Sequence, residues 1–144
     1  LMKQISQKKF LMIGNGKNIK SIAYVHNVSE FIHFSLSFAS GFKLFNYSDL
    51  PDYDMNSLVT KIQKTINNNI NITFRLPVFF AILIGKAFDF LSFILKKDFA
   101  ISEIRIKKFI SSSQFKSRAF SDGFEPTYSL DDALEKTIKS EFNN

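Results

Sequence analysis

Hydrophobic and polar residues follow two different periods along the chain, which predicts interleaved strands and helices. Short apolar or alternating stretches, typical of strands, are residues 10–13, 21–26, 43–47 and 70–75. Stretches with apolar residues three and four positions apart, typical of helices, are residues 27–41, 55–66, 78–97, 102–109 and 129–142, with a helical turn at 117–120 and a loop or edge strand at 111–113. This order predicts a mixed α/β fold.

Polar residues indicate where two of these helices begin. Asn27 is followed by Glu30 three positions later, which is the spacing of a capping box, and Gly41 is predicted to end that helix. Ser129 and the acidic Asp131 are predicted to open the last helix, because anionic groups are favourable in a first helical turn.

A glycine turn, GNGKN at residues 14–18, separates the first two predicted strands. A dinucleotide-binding fingerprint would need a third glycine where Ile19 stands, so a tight turn between strands is predicted instead. Lys17 and Lys20 flank the turn, and glycine lets the backbone approach an anion closely. The turn is therefore a candidate phosphate site, with solvated surface lysines as the alternative.

Composition and charge exclude several kinds of functional site and partner. The chain has 19 Lys+Arg against 13 Asp+Glu, a net charge of +6, which suits an anionic partner. It has no cysteine, which excludes disulfides and thiolate metal sites, and its two histidines lack zinc-site spacing. None of the tyrosines is followed four residues later by lysine. We therefore predict no catalytic residue, metal site or coenzyme site in this chain. The lysines do not gather on one helix face, so nucleic acid is not an expected partner.

The helix predicted from Pro77 to about Lys97 is apolar enough to raise the question of a membrane. Lys86 and Asp89 share one face, and a charge at mid-bilayer costs about 2.5–3.5 kcal/mol. A single polar stripe favours a core helix buried on three sides, with no membrane span. A helix lying in a membrane interface is the alternative, supported by the basic pair of Lys96 and Lys97.

Three segments together resemble a known family. They are FLMIGNGKNIKSIAYVHNVSEFI at residues 10–32, KLFNYSD at 43–49 and RIKKFISSSQFKSRAFSDGFEPTYSLDDAL at 105–134. Their order and spacing are similar to those of the extended short-chain dehydrogenases/reductases, the sugar-nucleotide epimerase/dehydratase family. The resemblance covers nearly the whole chain.

This resemblance implies a small mixed α/β substrate-binding domain over residues 1–144, lacking most or all of the Rossmann half. In the family, that half holds the glycine fingerprint and the Tyr-x-x-x-Lys pair. NAD or NADP would then be bound mainly outside this chain, and the chain alone would be inactive. Leu1 precedes Met2 without a secretory pattern, so a fragment of a larger, cytoplasmic enzyme is expected.

The resemblance also implies which residues bind substrate. The strand before the glycine turn passes the nucleobase in the family, which indicates Phe10, Leu11 and Met12. The basic residue after the turn reaches the diphosphate, which indicates Lys20, although the family usually has arginine there. Arg105 is the best match to an arginine that holds the diphosphate from the other side.

The expected substrate is a UDP-linked N-acetyl amino sugar in bacterial surface-polysaccharide synthesis. The parent enzyme would be an epimerase that inverts C4 or an oxidoreductase that reduces a 4-keto intermediate, and family members often pair as homodimers through the other half. The alternative function is a membrane-peripheral or protein-interaction domain that uses Val78–Leu95.

Overall fold

The computed structural model describes residues 1–67, 74–99 and 101–142. The α-helices there are α1 (Met2–Ser6), α2 (Val25–Ser35), α3 (Met55–Asn67), α4 (Val78–Leu95), α5 (Glu103–Ile110) and α6 (Leu130–Phe142). The strands are β1 (Met12–Ile13), β2 (Ile19–Lys20), β3 (Tyr53–Asp54) and β4 (Arg75–Leu76), and a 3-10 turn covers Ala119–Asp122. The predicted mixed α/β class is confirmed, with helix predominating over short strands.

The strands form two separate pairs. β1 lies parallel to β4, with Met12 opposite Arg75, and β2 lies antiparallel to β3, with Ile19 opposite Asp54. Ser113 adds an isolated parallel bridge to Lys20, in the segment predicted as a loop or edge strand. Each pair is short because the chain turns at glycines or enters a helix directly after the paired residues.

The main core lies where α1, α3 and α6 pack together and against β1 and β3. Its buried residues are Ile5, Met12, Tyr53, Met55, Leu58, Val59, Ile62, Leu130, Leu134 and Ile138. The apolar stripes predicted for α3 and α6 supply most of this set, so both stripes are confirmed. At the edge of this core, Lys61 on α3 forms an ion pair of 2.7 Å with Asp131 on α6.

A second core is aromatic and is centred on Phe31 of α2. Its ring stacks on Tyr47 at 5.2 Å between centroids and meets Phe45 and Phe124 edge to face at 5.3 Å. Offset and edge contacts of this kind add about 0.5–1.5 kcal/mol per pair beyond area burial. They pack the 3-10 turn and residues 45–47 onto α2.

A buried polar network joins three distant segments. Asp49 accepts hydrogen bonds from the Tyr24 amide at 2.6 Å, the Asn27 side chain at 2.8 Å and the Tyr47 hydroxyl at 2.6 Å. Asn27 also donates to the carbonyl oxygen of Tyr128 at 2.8 Å. The prediction that Asn27 caps α2 is therefore wrong: Tyr24 is the N-cap residue, and Asn27 lies inside the helix.

Two predicted strands are also wrong. Residues 21–26 contain no strand, because β2 precedes them and α2 already begins at Val25. Residues 43–47 are irregular, because Phe45 and Tyr47 pack into the aromatic core and form no ladder with another strand in the described chain. α2 also ends at Ser35 and not at Gly41. Of the strand predicted at 70–75, residues 70–73 lie outside the described residues and Arg75 lies in β4.

The helices after Pro77 follow the sequence prediction closely. Pro77 is the N-cap of α4, and Ser102 is the N-cap of α5, where its hydroxyl accepts a hydrogen bond from the Arg105 amide. The Ser129 hydroxyl likewise accepts from the Asp132 amide at 3.1 Å ahead of α6. Hydroxyl caps of this type satisfy amides that have no partner within the helix.

Candidate functional site

The glycine turn lies at the carboxyl edge of the β1–β4 pair. Because the two strands are parallel, the residues that follow them meet at the same edge, and the Gly14 amide donates to the Leu76 carbonyl at 2.9 Å. Gly14 and Gly16 have φ values of +74° and +68°, which residues with a Cβ rarely adopt. In α/β folds, ligands bind preferentially beyond the carboxyl ends of parallel strands.

The start of α3 fixes the shape of this turn. The Asn56 amide donates to the Gly16 carbonyl at 3.1 Å, and its side chain donates to the Asn15 carbonyl at 2.9 Å. A Cβ on Gly16 would lie 2.4 Å from the Asn56 side-chain oxygen. Gly16 is therefore required by its backbone conformation and by the close approach of Asn56.

Arg75 is a cation at the turn that the sequence analysis did not assign. Its guanidinium donates to the Asn15 carbonyl and to the Asn56 side-chain oxygen, both at 2.8 Å. Its sequence position could have identified it as a site residue. Arg75 ends a predicted strand, and if that strand pairs in parallel with β1, Arg75 lies at the same edge as Gly14.

Lys17 and Lys20 occupy different environments in the turn. The Lys17 side chain is exposed, and its ammonium makes no hydrogen bond or ion pair with the rest of the described chain. The Lys20 ammonium donates to the Lys108 carbonyl at 3.0 Å and to the Ser111 carbonyl at 2.6 Å. Lys20 therefore binds the carbonyl end of α5, where a positive charge is favoured by the helix dipole.

The remaining predicted substrate residues surround α5 or enter the core. Met12 is 2% exposed within the main core, Phe10 packs on Phe109 at 6.2 Å between ring centroids, and Leu11 is exposed. Arg105 lies in the first turn of α5 and donates to the Phe99 carbonyl at 3.0 Å, whereas Lys20 contacts the last turn of this helix. Their assignment to a nucleotide and its diphosphate stays a prediction.

A cavity of about 280 Å³ lies elsewhere, between α1, α3, α6 and residues 22–25. It is mainly apolar, and its lining residues are Met2, Ile22, Ala23, Tyr24, Val25, Tyr53, Leu58, Leu130, Ala133, Leu134 and Thr137. Tyr24 is in ring contact with His26 at 5.2 Å and with Tyr128 at 5.6 Å. The lining includes none of the predicted substrate residues. An apolar cavity beside aromatic rings suits the carbon skeleton of a ligand.

The pKa values of Tyr53, Tyr47 and Asp131 are shifted by burial and by hydrogen bonds. Burial and the hydrogen bond to Asp131 raise the pKa of Tyr53, and burial and the bond to Asp49 raise the pKa of Tyr47. Hydrogen bonds from Lys61 and Tyr53 hold the pKa of Asp131 below its ordinary value of 3.8. Both tyrosines therefore stay protonated and donate to carboxylates. Among the described residues, no cluster of His, Asp or Glu is arranged to hold a metal ion.

The surface of α4 differs from the sequence prediction. Only 11% of Val78–Leu95 is buried, and its mean hydropathy is 2.1, so α4 is long and apolar enough to cross a membrane. The prediction of a core helix buried on three sides is wrong for this chain. Ala81 and Gly85 are buried against neighbouring residues, whereas most of the larger apolar side chains of α4 are exposed.

A comparison with characterised proteins finds one informative relative. The chain is 42% identical over 144 residues to the N-acetyl-alpha-D-glucosaminyl-diphospho-ditrans,octacis-undecaprenol 4-epimerase of Escherichia coli O157:H7. The match covers 99% of this chain but 43% of that enzyme. No protein-family model and no solved structure match the chain. The predicted similarity to a sugar epimerase is confirmed, whereas membership of the short-chain dehydrogenase/reductase family stays a prediction.

Proposed function

We propose that this chain is the substrate-binding part of a sugar 4-epimerase that acts on an N-acetylated sugar carried on a diphosphate. The 42% identity to such an enzyme over 99% of the chain carries this proposal. The chain spans less than half of that relative, so the proposal concerns binding and leaves inversion at C4 to the complete protein. Bacterial surface-polysaccharide synthesis at the cytoplasmic side is the proposed setting.

The glycine turn is the proposed binding site for the diphosphate. The Lys17 side chain is exposed at this turn, and its ammonium is free to reach an anion. Lys20 and Arg105 are the cations that the family resemblance assigns to this role. A charge-assisted hydrogen bond contributes about 1.5–3 kcal/mol, so two or three such contacts account for micromolar binding.

The proposal includes two alternative carriers of the sugar, and both are diphosphates. The sequence prediction is a UDP-linked sugar, with the nucleobase along residues 10–12. The name of the relative specifies an undecaprenol diphosphate as the carrier. Both carriers present a diphosphate next to the sugar, which is the group that the cationic turn would recognise.

NAD or NADP is the coenzyme that the family resemblance implies, but the residues of the glycine turn do not fit it. After Gly16 the chain enters β2 and not a helix, so the turn lacks the direct connection from glycines to a helix N-terminus that holds the pyrophosphate in a dinucleotide site. We therefore place the coenzyme on residues other than those of this turn.

Isothermal titration calorimetry of the chain tests the proposal. The ligands are UDP-N-acetylglucosamine, a short-chain prenyl-diphospho-N-acetylglucosamine, and free N-acetylglucosamine as the ligand without a diphosphate. We expect at least one diphosphate ligand to bind, and Lys17→Ala, Lys20→Ala and Arg105→Ala to weaken it about tenfold or more each. Lys64→Ala, an exposed lysine of α3, is the matched control. Failure of the folded chain to bind either diphosphate ligand would contradict the proposal, and unchanged affinity in a variant would remove that residue from the site.

A further inference from the structure

Asp89 of α4 contacts α5, whereas most of the larger apolar residues of α4 are turned outward. The Asp89 carboxylate accepts a hydrogen bond from the Glu103 amide at 3.0 Å. A Cβ on Gly85 would lie 2.8 Å from Glu103 and Ile106, so the two helices are in close contact at this glycine. This arrangement is the reverse of a surface helix in a water-soluble protein, where the apolar side faces the core.

The outward face is large and mainly apolar. Its exposed side chains are Phe79, Phe80, Leu83, Ile84, Phe90, Leu91, Phe93, Ile94 and Leu95. At about 100° per residue, these positions cover an arc of about 200° around the helix. The 18 residues of α4 extend about 27 Å at 1.5 Å per residue. An apolar patch of this extent on a protein surface indicates contact with another apolar phase or molecule.

Cations lie within this face and at one end of it. Lys86 is about two helical turns from both Phe79 and Phe93 and lies on the same side of the helix, and Lys96 and Lys97 follow directly after the helix. All three lysines are exposed, and the whole chain carries a net charge of +6. An apolar face bordered by lysines matches the two layers of an anionic bilayer, with acyl chains below phosphate headgroups.

The position of α5 decides how α4 would meet the bilayer. Glu103 and Ile106 of α5 lie against Gly85, near the middle of α4, and the neighbouring Arg105 and Lys108 are exposed. A spanning α4 would carry these cations toward the centre of the bilayer, at about 2.5–3.5 kcal/mol each. With α4 in the plane of the interface, α5 remains on the water side at no such cost.

We propose that α4 docks this protein on an anionic lipid bilayer, lying in the interface with its exposed Phe and Leu side chains among the acyl chains. This proposal does not depend on the proposed epimerase function, because it rests on the surface of α4 alone. The occupant of the face is a lipid surface and not a second protein.

Vesicle flotation of the full chain tests the docking. We expect it to float with vesicles of phosphatidylglycerol and phosphatidylethanolamine, to float less with phosphatidylcholine alone, and to be released from the anionic vesicles by sodium carbonate at high pH. Phe93→Glu should lower the partition coefficient at least about tenfold, because it replaces an apolar membrane contact with a charge. Phe42→Glu is the matched control, since Phe42 and Phe93 are 92% and 82% exposed and Phe42 lies outside α4.

Four results would overturn the proposal. The first is a chain that is folded by circular dichroism and stays with the unbound fraction in anionic vesicles. The second is an equal loss of flotation in Phe93→Glu and Phe42→Glu. The third is resistance to carbonate extraction, which would identify a spanning helix. The fourth is a lipid-free dimer in sedimentation equilibrium that Phe93→Glu converts to monomer, which would assign the face to a second copy of the chain.

Discussion

Replacing Lys20 with methionine separates the structural role of its ammonium from the proposed binding role. The substitution keeps the apolar stem and removes the donor to the Lys108 and Ser111 carbonyls. A hydrogen bond with a charged partner contributes about 1.5–3 kcal/mol when buried. Lys20 is half-buried and water can reach the two carbonyls, so the discounted loss is about 1–2 kcal/mol for both bonds together.

Urea unfolding followed by far-ultraviolet circular dichroism measures this loss. With a slope of about 1–3 kcal/mol per molar urea, we expect the midpoint of Lys20→Met to fall by roughly 0.5–1 M. Lys17→Met is the matched control, because Lys17 lies in the same turn and its ammonium makes no hydrogen bond or ion pair with the described chain. Its free energy of unfolding should stay within about 0.5 kcal/mol of the original value.

The comparison of the two lysines can refute this reasoning. An unchanged urea midpoint for Lys20→Met would mean that the ammonium does not hold the end of α5 in solution. A fall in diphosphate affinity without that loss of stability would assign Lys20 to the ligand alone. Equal losses of stability in both variants would indicate a general effect of charge on this basic chain.

Three further predictions concern stability. Asp49→Ala should lower the free energy of unfolding by about 2–4 kcal/mol, because buried donors lose their acceptor, whereas the exposed Asp98→Ala should change it by less than about 0.5 kcal/mol in the same urea titration. Gly16→Ala should lower the melting temperature, at a cost of about 1–3 kcal/mol, because the new methyl displaces the Asn56 side chain and φ is positive, and an unchanged melting temperature would show that the turn adapts. Asp131→Asn should cost up to about 1 kcal/mol at neutral pH; the lowered pKa of Asp131 means that this contribution is present above its unfolded pKa of about 3.9 and disappears as pH falls through the lower folded value. Urea titrations of both proteins at pH 7 and pH 2 should therefore show a larger difference at pH 7 than at pH 2, and an equal difference at both would contradict the ion-pair explanation.

The helices were predictable because their signals are local. The stripe of Leu130, Leu134 and Ile138 repeats every four residues, and the Ser102 and Ser129 hydroxyls cap helices a few residues away. A periodic apolar face and a nearby cap are both visible within one or two turns of sequence.

The wrong predictions depend on partners far along the chain. Asn27 has the spacing of a cap, but its side chain bonds to Asp49 and Tyr128, which lie 22 and 101 positions away. Phe45 and Tyr47 alternate like strand residues, but they pack against aromatic rings of α2 and of the distant 3-10 segment. Single-sequence patterns carry no information on such partners.

The candidate site was predictable in part for the same reason. The glycine turn between two strands was evident from GNGKN. The position of Arg75 beside that turn depends on the pairing of β4 with β1, which the sequence does not show. For α4, composition identified an apolar helix with one polar stripe. It could not show that Asp89 and Gly85 face α5, which leaves the apolar arc outward.

The junction between β4 and α4 has a consequence for substrate encounter. Only Pro77 separates Leu76, whose carbonyl binds Gly14, from the first residue of α4. The glycine turn therefore adjoins the N-terminal end of α4. With α4 in the membrane interface as proposed, the turn would lie close to the bilayer, and a diphosphate carried on a lipid would reach it by a two-dimensional search.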